Sequence, residues 1–207
     1  MVFSSIPFLY YFLPAVLAVY FLMPRKGKNA VLLLASLIFY GWGELRLLPL
    51  MVFTIGLCYV CGLGIERSRN RKKLWLLTSI VISVGLLGVF KYADFFIGSL
   101  NAVTGLKIPL LHLALPVGIS FYTFQCLSYT IDVYRGSVPA QKNLINFGAY
   151  VALFPQLIAG PIVRYADIAR ELEHREHSWE NAAVGLRRFL VGLGTVSYTH
   201  LRAHETD

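Results

Sequence analysis

The sequence predicts an all-α polytopic membrane protein whose helices are broken or re-entrant at membrane depth. Three observations carry this. Hydrophobic residues make up 57% of the 207, charged residues only 14%, and the mean hydropathy is +0.61; a soluble domain carries roughly a quarter charged residues. Uncharged runs at 1–24, 29–43, 47–65, 74–90, 108–131 and 143–163 approach or reach the ~20 residues that cross a bilayer core. The last two runs hold prolines, glycines and polar groups that hydrocarbon does not tolerate unless protein or water satisfies them.

The first run reads as a retained span over Ile6 to Met23. A cleaved signal peptide places its basic residues before the apolar stretch and a small-residue site at its end. Here the first basic residue is Arg25, beyond the run, and no such site precedes it. Two basic loops follow, RKGK (25–28) and RSRNRKK (67–73), separated by the runs 30–43 and 47–65. Two spans return the chain to the same side, so both loops satisfy the positive-inside rule together and the N-terminus lies outside. As juxtamembrane loops of an apolar chain they orient it in a membrane and do not bind nucleic acid. Gly41 and Gly43 are expected to end the second helix, Gly62 and Gly64 the third. Cys58 and Cys61 form a C-x-x-C on an uncharged helical run. They read as small buried hydrophobes, because redox or metal chemistry needs thiolates that an apolar setting disfavours.

After the run 74–90, FKYADFFIGSLNAVTG (90–105) is amphipathic, with Lys91 and Asp94 in its first turn, and is expected at the outer interface. Then comes LPVGISFYTFQCLSYTIDVYRG (115–136). Pro116 and Gly118 loosen the helix at its entry. Beyond them Tyr122, Gln125, Tyr129 and Asp132 step by three, four and three, which puts them on one helical face with Ser128 beside it. Phe121, Phe124 and Leu127 lie on the other side. A polar stripe in lipid must face protein or a water-filled cavity. Ser120, Thr123 and Thr130 read as interhelical hydrogen-bonding groups. For Tyr122, Gln125, Tyr129 and Asp132 a tunnel wall and the same interhelical role both stand. Asp132 and Arg135 could also close the helix end as an i,i+3 ion pair.

FPQLIAGPIVRY (154–165) carries Pro155, Gly160 and Pro161 in an apolar run, the pattern of a re-entrant element that returns the chain to the basic side; a Pro-kinked span is the alternative. IARELEHREHSWENAAVGLRRFLVGL (168–193) reads as one amphipathic helix. Its His174 and His177 belong to a solvated face rather than to a metal site. His112, in LLHLALP, reads as an interfacial or core histidine.

These stretches resemble the membrane-bound O-acyltransferase family, and most of all its polysaccharide-acetylating bacterial members. The resemblance rests on MVFSSIPFLYYFLP, the LLLASLIFYGWG region, FKYADFF, LPVGISFYTFQCLSYTIDVYRG and FPQLIAGPIVRYADI, and covers residues 1–194. It implies the N-terminal portion of a helical bundle around a tunnel. It also implies transfer of an acyl group, acetyl in the first instance, from a cytosolic donor to an extracellular polysaccharide or a partner acetyltransferase. Acetyl-CoA or another acyl thioester would be co-substrate, with no resident cofactor. Tyr122, Gln125, Ser128, Tyr129 and Asp132 would then line the tunnel or support the catalytic base. Arg135 and Arg164 would meet donor phosphates. The family's catalytic histidine has no counterpart in this sequence, so no catalytic residue is assigned. Residues 195–207, within GTVSYTHLRAHETD, resemble a translated sequencing adapter and are expected to be a non-native tail, which empties His200 and His204 of meaning. A transporter would use the same stripe and broken helix near the bilayer midplane, but no inverted repeat is visible. A non-catalytic scaffold for a partner acetyltransferase is the other alternative.

Overall fold

The computed structural model describes residues 5–68, 70–113, 115–116, 118–157, 163–175 and 178–204, with side chains given up to residue 195. All regular structure among them is helical. The chain opens with a wide π-type turn, Pro7–Phe12, that runs directly into helix α1, Leu13–Leu22. Pro14 accounts for the wide turn: it donates no hydrogen bond and its ring crowds the carbonyl one turn earlier. A tight turn at Arg25–Gly27 leads into α2, Lys28–Glu44. The backbone leaves helical geometry at Glu44 (φ −147°, ψ 70°), passes a short turn at Leu45–Leu47, and enters α3, Leu48–Arg67.

Helix α4, Lys72–Thr104, is a single element of 33 residues. The amphipathic stretch expected to lie at an interface, 90–105, is therefore the C-terminal part of one long helix. No proline interrupts it, and it ends only where Gly105 turns into the left-handed region (φ 71°). At ~1.5 Å per residue it spans about 50 Å, well beyond a ~30 Å hydrocarbon core. The segment from Gly105 to Pro116 is not helical where described. Helix α5, Ile119–Arg135, thus begins well inside the uncharged run 108–131, which is not one continuous span. His112 is exposed on this segment with a positive φ of 47°.

Helix α6, Leu144–Ala152, is capped by the Asn143 side chain, which accepts from the amides of Ile145 and Asn146. It stops after nine residues at Leu153 (φ −50°, ψ 112°), and the short α7, Phe154–Leu157, follows. The expected break before Pro155 is present. Gly160 and Pro161, the other half of the expected re-entrant element, lie outside the described residues. The amphipathic stretch predicted as one helix is two: α8, Tyr165–Glu173, and α9, Trp179–His204, with His177 outside the described residues. Helix α9 continues without a stop past residue 194.

Helix α5 sits at the centre, packed against α3, α4, α6 and α8, while α2 packs on α6, α7 and α1. The main core runs through Met51, Ile55, Cys58, Tyr122, Cys126, Tyr129, Phe147 and Tyr150. A smaller one ties the first turn to α2 and α7 through the rings of Phe8, Phe12, Phe39 and Phe154, 5.5–6.0 Å apart. Around these cores the surface is apolar. Leu22, Trp42, Phe95, Phe96 and Val81 are at least 60% exposed, as suits helices whose solvent is lipid. Two helical stretches, Arg25–Arg67 with its break and Lys72–Thr104, are long and apolar enough to cross a membrane.

Candidate functional site at the broken helix

The geometry of the site follows from one local event. When α6 stops at Ala152, the Tyr150 carbonyl loses the amide that a continuing helix would offer, and in the buried surroundings of Tyr150 another donor must replace it. Two side-chain amides do so instead: Gln125 Nε2 donates to the Tyr150 oxygen at 3.0 Å and Gln156 Nε2 at 2.7 Å. On the other side of the break the Phe154 amide donates to Ser36 Oγ at 3.1 Å, and that hydroxyl donates to the Leu32 carbonyl at 2.6 Å. The broken backbone is satisfied from α5, α7 and α2.

Below the break lies an aromatic cluster. The Tyr129 ring is 4.5 Å from Phe147 and 5.1 Å from Tyr165, and Tyr150 is 5.3 Å from Tyr165, centroid to centroid. Edge-on and tilted contacts of this kind add to what burial alone gives. The Tyr129 hydroxyl accepts from the Gln141 amide at 3.0 Å. Gln141 Nε2 donates to the Tyr165 hydroxyl at 2.8 Å, and its carbonyl oxygen accepts from the Asn143 amide at 3.0 Å. Tyr150 closes the set by donating to the Val163 carbonyl at 2.9 Å. Tyr165 lies outside the apolar runs. Its phenol is raised above the ordinary tyrosine value by burial, with Glu173 adding to the shift and the Gln141 hydrogen bond opposing it.

Two glycines make the packing possible. A Cβ on Gly62 would sit 2.8 Å from the Tyr129 ring and hydroxyl, so this residue continues α3 and admits tyrosine rather than ending the helix as expected. Gly118, at the start of α5, has φ 74°, and a Cβ there would lie 2.6 Å from the Leu157 carbonyl oxygen.

The structure brings the predicted stripe together on α5. Tyr122, Gln125 and Tyr129 are buried, and Ser128 and Asp132 are half-buried. Ser128 donates to the Gln125 carbonyl at 2.9 Å. The Tyr122 hydroxyl is buried and finds no hydrogen-bond partner among the described residues, and neither does that of Tyr40 on α2. Among the described residues no ion pair joins Asp132 to Arg135. The α5 end is instead closed by backbone bonds, Gly136 to the Val133 carbonyl and Ser137 to the Asp132 carbonyl. Arg135 ends α5 and Arg164 precedes α8; both are exposed and neither enters the cluster. Ser120 is reached from Lys91 at 3.4 Å, and Thr130 accepts from Ser79 on α4 at 3.4 Å. Cys58 and Cys61 are buried, Cys58 lying 3.6 and 3.7 Å from the hydroxyls of Ser79 and Ser83.

Sequence reasoning missed Tyr150, Gln141, Gln156, Tyr165 and Tyr40. Gln156 carried a readable signal, an amide immediately after the proline that breaks the helix. The tyrosines carried none, since an apolar run with scattered tyrosines is ordinary at a membrane interface.

Comparison with known proteins supplies the rest. The chain is 43% identical over 199 residues to "Probable alginate O-acetylase AlgI" of Azotobacter vinelandii, a match covering 93% of this chain and 40% of that protein. It is 44% identical over 199 residues to the protein of the same name from Pseudomonas aeruginosa, covering 93% and 38%. Against the "Peptidoglycan O-acetyltransferase" of Helicobacter pylori it is 31% identical over 227 residues, covering 93% and 43%. The chain thus spans about two fifths of the length of the curated relatives it matches. No protein-family model matches it, and no solved structure does. Over 93% of its length the chain is therefore a homologue of alginate O-acetylases and, more distantly, of a peptidoglycan O-acetyltransferase, in keeping with its resemblance to the membrane-bound O-acyltransferases.

Proposed function

We propose that this chain is the part of a multi-pass polysaccharide O-acetyltransferase that builds one wall of an acyl path through the bacterial plasma membrane. The observation that carries the reading is the 43–44% identity to alginate O-acetylases over 93% of the chain. The buried hydroxyls and amides beside a helix break at membrane depth support it, since such groups are rare in lipid and mark functional sites. In this reading the N-terminus is outside. An acyl thioester, acetyl-CoA in the first instance, arrives from the cytosol, and the acceptor is an extracellular polysaccharide reached directly or through a periplasmic acetyltransferase partner.

Transfer to a hydroxyl needs a base, a held donor and exclusion of stray water. The present residues supply the frame and not the base. Gln125 and Tyr129 fix the break and the helix beside it; Tyr122, Ser128 and Asp132 present polar groups along the same face. Arg135 and Arg164 are exposed cations able to meet donor phosphates. The experiment is transfer of labelled acetyl from acetyl-CoA to polymer in membrane vesicles. A protein extended to the full length of its relatives transfers label, and the purified 207-residue chain does not. Activity in the purified chain overturns the division of labour; its absence from the extended protein overturns the function.

A further inference from the structure

Beside the start of α6, at the opposite end of that helix from its break, the chain gathers cations in a way the acyl-transfer reading does not use. The turn after α1, the start of α2, the loop before α6 and the end of α8 surround two adjoining hollows of about 420 and 570 Å³ that share Arg25, Asn29, Leu172 and Glu173. Among the described residues five cations line them, Arg25, Lys26, Lys28, Lys142 and Arg175, against the carboxylate of Glu173.

Two of the five charges are held in place. Lys28 is only 8% exposed, and its ammonium lies 4.7 Å from the centroid of the Tyr20 ring. The Arg175 guanidinium is 5.8 Å from the same ring and donates to the Tyr20 hydroxyl at 3.2 Å. One tyrosine at the end of α1 thus seats two cations at the mouth of the cleft. The floor is equally fixed: Asn29 Nδ2 donates to Asn146 Oδ1 at 2.7 Å and to the Leu172 carbonyl at 2.9 Å. No side chain caps the 17-residue α2, whose first turn opens beside the hollow, so its partial positive charge adds to the same field. Preset guanidinium and ammonium groups from several elements suit a phosphate group, whose oxygens can accept charge-assisted hydrogen bonds from more than one direction.

We propose that this cleft is a binding site for a phosphate ester. The chemistry is shared by an anionic phospholipid headgroup, which the aromatic Tyr20 and Phe21 at the α1 end suit as interfacial residues, and by a soluble phosphate compound. The inference stands whether or not the chain takes part in acetyl transfer.

The test uses the chain purified in an uncharged maltoside detergent and titrated calorimetrically with short-chain phosphatidylglycerol, with short-chain phosphatidylcholine as zwitterionic control, and separately with inorganic phosphate. Arg25 and Lys26 have exposed side chains, so the double variant Arg25→Gln/Lys26→Gln should fold normally, and circular dichroism checks this. It is expected to weaken binding about tenfold or more, the loss that goes with removing charge-assisted contacts to phosphate. Lys142→Gln tests the opposite wall with the same expected direction. Lys72→Gln/Lys73→Gln, in the other basic loop, is expected to change binding less than about twofold, as remote screened charges do. Saturation by phosphatidylglycerol alone names a lipid headgroup as the ligand; saturation by inorganic phosphate names a soluble phosphate ester. Failure of both to saturate, or equal losses in the two loop variants, overturns the proposal.

Discussion

The inner face of α5 and the C-terminal part of α4 have similar compositions and opposite fates. Both are apolar with scattered polar groups. On α5 two buried polar side chains serve backbone from other elements: Gln125 the Tyr150 carbonyl, Tyr129 the Gln141 amide. Near the end of α4 two polar side chains hold only the segment that follows. Asn101 brackets Ile108, accepting from its amide at 3.0 Å and donating to its carbonyl at 2.8 Å, and Asp94 accepts from the Leu111 amide at 2.7 Å. Meanwhile Phe95 and Phe96 stand 67% and 66% exposed. In lipid an exposed phenylalanine costs nothing, whereas an unpaired buried amide does. Packing in this protein is therefore organised by where broken backbone must be satisfied, and apolar surface is left for the bilayer.

Substitutions can break that contrast or sharpen it. The largest effect is expected at Gly118. Alanine there must hold a left-handed φ and meet the Leu157 carbonyl at 2.6 Å, and should destabilise by about 3 kcal/mol or more. A thermal midpoint in detergent within error of wild type would show that the α5 entry is not fixed by this approach. Next is Tyr129→Phe, which strands the buried Gln141 amide and should cost about 1–2 kcal/mol by the same measurement.

Gln125→Leu comes third, at about 0.6 kcal/mol, the size usual for a hydrogen bond inside a membrane bundle. Its effect is small because Gln156 still serves the Tyr150 carbonyl; the double variant with Gln156→Leu should lose more than the sum of the singles. In the same region, lipid-soluble cysteine reagents should label Phe124→Cys, 47% exposed in the wild type, and spare Gln125→Cys. Equal labelling would erase the distinction between the two faces of α5.

On the α4 side, Asn101→Ala should leave the global midpoint unchanged and speed proteolysis between residues 105 and 113, because the bracket it removes is local. The smallest effect at neutral pH belongs to Tyr165. Its folded pKa is raised by burial, so the stability it contributes is complete below the ordinary tyrosine value of about 10 and is lost as pH rises through the folded value. Melting temperatures taken upward from pH ~9 should fall more steeply for wild type than for Tyr165→Phe; parallel curves would place the alkaline loss elsewhere.

Much of this was legible from residue order alone, because it is local. The helical class follows from uncharged runs that in lipid can only close their hydrogen bonds internally. The stop before Pro155, the basic loops and the one-sided stripe on α5 depend on proline geometry, charge and helical period, all of which act within a few residues. The uninterrupted 33-residue α4 was misjudged at the same scale, since a drop in hydropathy at Lys91 and Asp94 is not a helix stop when no proline or glycine cap enforces one.

What tertiary structure decided lies between residues far apart in sequence. Ser36 serves an amide 118 positions away, and Asn29 an amide oxygen 117 positions away. Gly62 turned out to be the seat of Tyr129, not the end of a helix. Leu127, on the side opposite the stripe, is buried because α5 is enclosed by several helices rather than flanked by one. Periodicity tells which residues share a face; only the folded chain tells what that face meets, because burial and hydrogen-bond satisfaction are properties of pairs.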